Sequence, residues 1–234
     1  MKIAIIDNNM NPMQRDRGRG RGFMHALTAA APESDYEFIR CESINVRAAD
    51  LKKCRGLILS GSRLDFAGPD NRFDRDTYRK MIPEFQLLRD FAGPVLGICF
   101  GHQLLALADE FDERRDDFGE LRVQNMTDPE DDYMVMQIRM DSAPRFMSTS
   151  ELWVQQSHKQ EVVLNDGLLE YFDVLAGSDR CPVNIMQHKT RNWFGVQFHP
   201  EVGKDSKKGD VSHHDDAVKD GRLLMSSFAG YCLG

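Results

Sequence analysis

The chain has 234 residues, 41% of them hydrophobic, and carries 37 acidic against 30 basic residues for a formal charge of −7. A chain of this length buries roughly 70–75% of its unfolded surface, enough for one large core, so residues 1–234 are read as a single domain. The acidic excess is spread along the chain, which argues against general affinity for nucleic acid or for an anionic membrane, and no apolar run approaches the length of a membrane span.

Five cysteines, at positions 41, 54, 99, 181 and 232, form an odd and scattered set without a CxxC pair, so neither a disulfide framework nor a zinc site is expected. The start, MKIAIID, has no basic region followed by a long apolar one, and the expectation is a soluble cytoplasmic protein with reduced thiols.

The apolar run Lys2 to Asp7 predicts the first strand. The following MQRDRGRGRGF places Arg15, Arg17, Arg19 and Arg21 in a glycine-rich loop over 15–22 that lacks the spacing of either nucleotide fingerprint and reads as a solvated surface segment. Phe23 to Ala30 is helical by composition, Tyr36 to Ile39 is a short strand, and Gly56 to Leu59 is a clearer one that runs into the small-residue turn Ser60, Gly61, Ser62. Asp74 to Phe91 is amphipathic and predicts a surface helix.

Next comes PVLGICFGHQ, residues 94–103. Val95 to Ile98 is long enough for a buried strand but too short for a helix, and Cys99 sits between Gly97 and Gly101, with a helix continuing through His102 to Ala108. Small residues on both sides of the apex are what a sharp strand-to-helix corner requires. The device is known for serine as the nucleophile elbow, and a thiol at that apex faces the unpaired N–H groups of a helix start, which favour the thiolate. A cysteine after an apolar strand is as readily a small core residue, and the elbow by itself leaves both readings open.

Further on, Met134 to Ile138, Leu152 to Val154, Val174 to Ala176 and Val183 to Gln187 read as strands, leading to the apolar Trp193 to Val196 and then FHPE. Pro200 restricts its predecessor to extended backbone, so His199 and Glu201 are expected to project to one side of a continuing strand. A carboxylate beside an imidazole fixes its tautomer and stabilises the imidazolium. A polar insertion over 203–216 contains His213, His214, Asp215 and Asp216. These are metal-ligand types, but adjacent residues cannot all converge on one ion, and docking to a partner is the preferred reading. The final helix is expected over about Ala217 to Phe228.

GICFGHQ with a downstream GVQFHPE resembles the class I, triad-type glutamine amidotransferases, in particular their GMP-synthase-like glutaminase group. The alternation of strands and helices implies an α/β fold with an open, mainly parallel twisted sheet covered by helices on both faces, and sites in such sheets form at strand carboxyl ends. The resemblance makes this the flavodoxin-like fold of that family, with a small antiparallel extension. It implies Cys99 as nucleophile, His199 as base and Glu201 as orienter, and an oxyanion hole from backbone N–H groups at Gly61 or Ser62 and at Phe100. It further implies that Gln103, Ser157 and His158 shape the glutamine site, and that no metal or organic cofactor is used.

The implied reaction converts glutamine to glutamate and ammonia through a cysteine thioester, and a separate synthetase subunit is the expected consumer of the ammonia. A γ-glutamyl peptidase with the same triad is the alternative enzyme, and a non-catalytic binding protein on this fold the alternative of another class. The chain departs from the family in three places. Serine replaces the second glycine at position 62, Asp109 and Glu110 stand where a Gly-Gly pair usually closes the helix, and Arg122 replaces the glycine after Glu120 and Leu121. The last two departures are expected to reshape one wall of the pocket.

Overall fold

The structure is a computed structural model that describes residues 2–8, 36–112, 122–126, 134–202 and 212–234. The arginine-glycine loop, the predicted helix at Phe23 to Ala30, Glu120, Leu121 and residues 203–211 of the polar insertion lie outside the described residues. In chain order the elements are β1 (Ile3–Asp7), β2 (Tyr36–Arg40), α1 (Ile44–Leu51), β3 (Gly56–Leu59), α2 (Arg75–Asp90), β4 (Val95–Ile98), α3 (Phe100–Ala108), β5 (Val123–Asn125) and β6 (Met134–Arg139). They continue with β7 (Glu151–Gln156), β8 (Gln160–Val162), α4 (Asp166–Tyr171), β9 (Phe172–Ser178), β10 (Cys181–His188), β11 (Trp193–Val196) and α5 (His214–Leu233).

Seven strands form one sheet in the order β2-β1-β3-β4-β11-β10-β9. From β2 to β11 all neighbours are parallel, and β10 runs antiparallel to both β11 and β9. Two small antiparallel ribbons, β5 with β8 and β6 with β7, complete the expected extension. The mainly parallel α/β fold read from the sequence is therefore the fold of the described residues.

Strand periodicity explains the two cores. Ala4, Ile6, Leu57 and Leu59 face α1, α2 and α3 in one apolar cluster, whereas Ile3, Ile5, Ile58, Leu96 and Ile98 face α5 and the β6–β7 ribbon in the other. Near-continuous apolar strands such as GLIL and VLGI are what burial on both faces demands.

Helix ends follow local chemistry where a cap is present. The side chain of Asp74 accepts from the Thr77 N–H at 2.8 Å, and this fixes the start of α2 where the sequence placed it. The last helix extends beyond its expected limits at both ends. Its C-terminus is held by a distant residue, because Arg55 donates to the Cys232 and Leu233 carbonyls at 3.0 and 2.8 Å. Cys232 packs so closely on Gly56 that a β-carbon there would overlap its sulfur. The short elements α1, α4, β5 and β8 carry little periodicity and are not anticipated by the sequence reading.

Candidate active site

Leu59 pairs with Gly97 and Val196 with Ile98, so the carboxyl ends of β3, β4 and β11 lie side by side at the middle of the sheet. Cys99 follows β4 in a strained conformation with φ 52° and ψ −103°, its N–H donating to the Val196 carbonyl at 2.9 Å and its own carbonyl accepting from Gln103 N–H at 3.1 Å. A non-glycine residue at positive φ costs of order 1–3 kcal/mol and persists only where the surroundings over-determine it.

The flanking glycines show why. A β-carbon on Gly97 would overlap the Gly101 carbonyl, and one on Gly101 would overlap the Leu59 carbonyl, so β4, α3 and β3 approach at backbone distance. Gly101→Ala is accordingly expected to destabilise by about 1–3 kcal/mol, as overpacking does. Urea unfolding measures it, and an unchanged midpoint would contradict the close approach.

The other two strand ends close around the thiol. A β-carbon on Gly61 would lie 2.9 Å from His199 Cε1 and 3.5 Å from the Cys99 β-carbon, so the turn after β3 packs directly on both residues. Nδ1 of His199 pairs with Glu201 Oε1 at 2.8 Å, which leaves Nε2 for the hydrogen bond with Cys99. Burial alone would lower the His199 pKa. The negative charges of Glu201 and Cys99, with hydrogen bonds to both, outweigh it and raise the imidazole well above its ordinary range. The arrangement therefore favours an imidazolium beside the Cys99 sulfur.

FHPE does not continue the strand. β11 ends at Val196, and residues after it bend so that His199 N–H donates to the Gln155 carbonyl at 2.9 Å and Val202 N–H returns to the His199 carbonyl at 3.3 Å. His199 and Glu201 meet across this turn rather than on one face of an extended strand. The rigid Pro200 ring starts the turn readily, and pairing to Gln155 replaces the ladder bonds a strand would have made.

Ser62 spends its hydroxyl on the turn itself, donating to the Asn8 carbonyl at 2.8 Å and accepting from Leu64 N–H at 3.1 Å. Phe100 opens α3 with its ring stacked on Phe66, centroids 4.6 Å apart. Gln103 is buried, and its amide nitrogen donates to the Gln160 carbonyl at 2.8 Å and to Gln197 Oε1 at 3.4 Å. Ser157 and His158 lie in the short link between β7 and β8. His158 places Nδ1 3.1 Å from the Gln160 carbonyl and Nε2 2.8 Å from Gln156 Oε1. Burial first, and then the charge of His199, outweigh the bond to Gln160 and hold its pKa down to about 4.

Gln160 is a residue the sequence reading missed. Its Oε1 accepts from Phe66 and Ala67 N–H at 2.8 and 3.3 Å, while Nε2 donates to Asn125 Oδ1 at 2.8 Å and to the Ala67 carbonyl, so one amide ties the loop after β3 to the β5–β8 ribbon. No motif marks it, because the partners of its amide come from two other segments distant in sequence.

The family departures pair with each other. Arg122, 1% exposed, forms an ion pair with Glu110, donates to the Ala106 carbonyl at 3.0 Å and lies over the Tyr171 ring at 5.3 Å. Asp109 approaches His188 Nε2 at 3.0 Å. These contacts gather at the far end of α3, roughly 13 Å along its axis from Cys99 by helix rise. They close the helix with charges instead of glycines. Arg122→Ala is expected to cost about 3 kcal/mol, the lower part of the range for breaking a buried pair, since Glu110 is 30% exposed and can turn to water. A loss under about 1 kcal/mol in urea unfolding would refute that packing role.

A family model described as glutamine amidotransferase class-I matches residues 20–215. The chain belongs to this family. The chain is 36% identical over 152 residues to one subunit of the glutamine-hydrolyzing GMP synthase of Methanocaldococcus jannaschii, a match over 64% of this chain and 66% of that one. It is 33% identical over 208 residues to the glutamine-hydrolyzing GMP synthase of Paraburkholderia phymatum, over 86% of this chain and 33% of that protein. These matches therefore span two thirds or less of the curated relatives.

Among solved structures, a Thermotoga maritima glutamine amidotransferase superposes with TM-score 0.59 at 16% identity, covering 100% of this chain and 96% of the other. The glutaminase domain of Trypanosoma brucei CTPS, solved with bound acivicin, reaches TM-score 0.67 at 14% identity, covering 100% and 94%. Both support the amidotransferase fold. Among the described residues, no helix is long and apolar enough to cross a membrane.

Proposed function

We propose that this amidotransferase hydrolyses the side-chain amide of glutamine at Cys99 and passes the ammonia to a synthetase partner. The observation that carries the reading is the contact of Cys99, on its strained elbow, with the His199–Glu201 pair beneath Gly61. The Cys99 thiolate attacks the amide carbon and forms a carbon–sulfur bond; backbone N–H groups at Gly61 or Ser62 and at Phe100 receive the oxyanion, each donor worth ~3 kcal/mol in the transition state. The imidazolium of His199 gives its proton to the leaving nitrogen, and ammonia departs as the carbon–nitrogen bond breaks. The same imidazole then takes a proton from water, which attacks the thioester and yields glutamate and the restored thiol. Glu201 keeps the proton of His199 on Nδ1 throughout.

Gln103, Ser157 and His158 are the proposed substrate-site residues, Gln103 acting through the Gln160 segment it pins. The names of the relatives point to a GMP-forming synthetase as the consumer of ammonia.

The test supplies glutamine, or a panel of γ-glutamyl peptides, to the chain with and without candidate synthetases. Ammonia, glutamate and the acyl-enzyme mass are then followed. Ammonia from glutamine is expected. Release from peptides only would make the chain a γ-glutamyl peptidase, and no acylation of Cys99 by either substrate would overturn the enzymatic reading.

A further inference from the structure

Glu84 is a carboxyl in the wrong place for stability. It sits 1% exposed in the middle of α2, among apolar neighbours that include Met81, Phe85 and Leu88. Its partner there is Asn8, the fully buried residue after β1, whose Nδ2 donates to Glu84 Oε1 at 3.2 Å and to the Ser60 carbonyl at 3.3 Å. Asn8 grips the turn after β3 on both sides. Its N–H donates to Ser60 Oγ at 2.9 Å, that hydroxyl donates to the Gly61 carbonyl at 2.9 Å, and Ser62 Oγ donates to the Asn8 carbonyl at 2.8 Å. Gly61 in turn packs on His199 and Cys99.

The two atoms of this contact without a partner among the described residues are Glu84 Oε2 and Asn8 Oδ1, both acceptors if the acid is ionised. A neutral acid supplies the one donor the pair lacks, in keeping with burial that pushes the Glu84 pKa up to about 8.

We propose that Glu84 is a positioning residue, a protonated acid that acts through Asn8 to lock the Ser60–Gly61–Ser62 turn against His199 and the thiol. The inference rests on the glutaminase reading and adds to it a residue outside the substrate site. Donors in that turn act on the oxyanion, which exists only in the transition state, so loosening them lowers kcat and spares KM. Misplacement by about 1 Å costs roughly 10²-fold.

The test compares wild type, Glu84→Leu and Glu84→Gln. Glu84→Leu is expected to melt at or above the wild-type temperature at pH 8, where a buried acid is a liability, while kcat for glutamine falls about 10- to 100-fold with KM within about twofold. Glu84→Gln, which keeps a neutral donor, is expected to restore kcat to within about threefold. Asn8→Ala cuts the same link with Glu84 intact and is expected to lose kcat alike, which covers a failure of Glu84→Leu to fold. The rate of Cys99 alkylation by iodoacetamide gives a readout independent of glutamine, expected to drop several-fold in Glu84→Leu and return in Glu84→Gln. Unchanged kcat and alkylation in Glu84→Leu, or a Glu84→Gln variant as impaired as Glu84→Leu, would overturn the proposal. A wild type that alkylates normally but hydrolyses nothing would overturn the glutaminase reading instead.

Discussion

Cys99→Ala is expected to abolish glutamine hydrolysis, with kcat/KM down by about 10⁴-fold or more, because no other group at the elbow can form the thioester. His199→Ala should cost a similar factor, and the double variant little more than either one, since the proposed nucleophile and base would act as a unit. Glu201→Gln tests the orienting carboxylate. A glutamine amide can donate to Nδ1 and stabilise the tautomer with its proton on Nε2, which cannot accept from the thiol. The loss is expected to be about 10²-fold or more, below the ~10⁴ seen for serine enzymes because a thiol ionises more readily.

The strain at Cys99 adds a stability readout to the same series. Glycine occupies φ 52° without penalty, so Cys99→Gly should melt above Cys99→Ala by the equivalent of about 1 kcal/mol, though both are inactive. Steady-state ammonia release and thermal melts measure the set. Activity retained in Cys99→Ala would remove the thiol from the mechanism.

Acid is expected to destabilise the fold through two histidines that it holds neutral. The ring of His102 is fully buried against the backbone of Val183 and Gly195, and burial lowers its pKa to about 3. His158 is held to about 4. Both folded values lie below the unfolded 6.5, so the stability tied to the neutral rings is complete above pH 6.5 and is lost as pH falls toward 4 and 3. Each ring withdraws about 1.4 kcal/mol per pH unit in that window.

Glu84 has the opposite sign. Its folded pKa of about 8 exceeds the unfolded 4.5, so its contribution is complete below pH 4.5 and is lost as pH rises through 8. The raised His199 contributes in the same sense and adds no slope below pH 6.5. Two imidazoles against Glu84, with the burial-raised carboxyl of Asp65 acting in the same sense as Glu84, leave a net loss of up to about 3 kcal/mol between pH 6.5 and 4.5. Urea unfolding at the two pH values measures the loss, and the His102 ring resonances should remain those of a neutral imidazole at pH 4.5. Equal stability at both, or a His102 that titrates near 6.5, would contradict the burial argument.

The parts of this site legible from sequence are those whose requirements are local. Gly97 and Gly101 around Cys99 announce a corner because no side chain fits there, and the apolar runs Gly56–Leu59 and Val95–Ile98 announce strands buried on both faces. His199 and Glu201 are readable as a pair from two-residue spacing, although the geometry behind the pairing is a turn and not a strand. That misreading has a physical source. Proline restricts the backbone of the residue before it and leaves open where the chain goes next, and the Gln155 carbonyl that captures His199 comes from β7.

Sequence by itself determined the alternation of strands and helices, the elbow at Cys99 and the pairing of His199 with Glu201, because periodicity, glycine sterics and short spacing act within a few residues. Only the tertiary structure decided that Gly61 closes on His199, that Gln160 joins three segments, that Arg122 answers Glu110 and that Arg55 finishes α5. Each of those contacts joins polar or close-packed groups from distant parts of the chain. Their pairing is set by burial, where an unmatched donor or acceptor costs about 1–3 kcal/mol, and burial exists only once the sheet has brought the segments together.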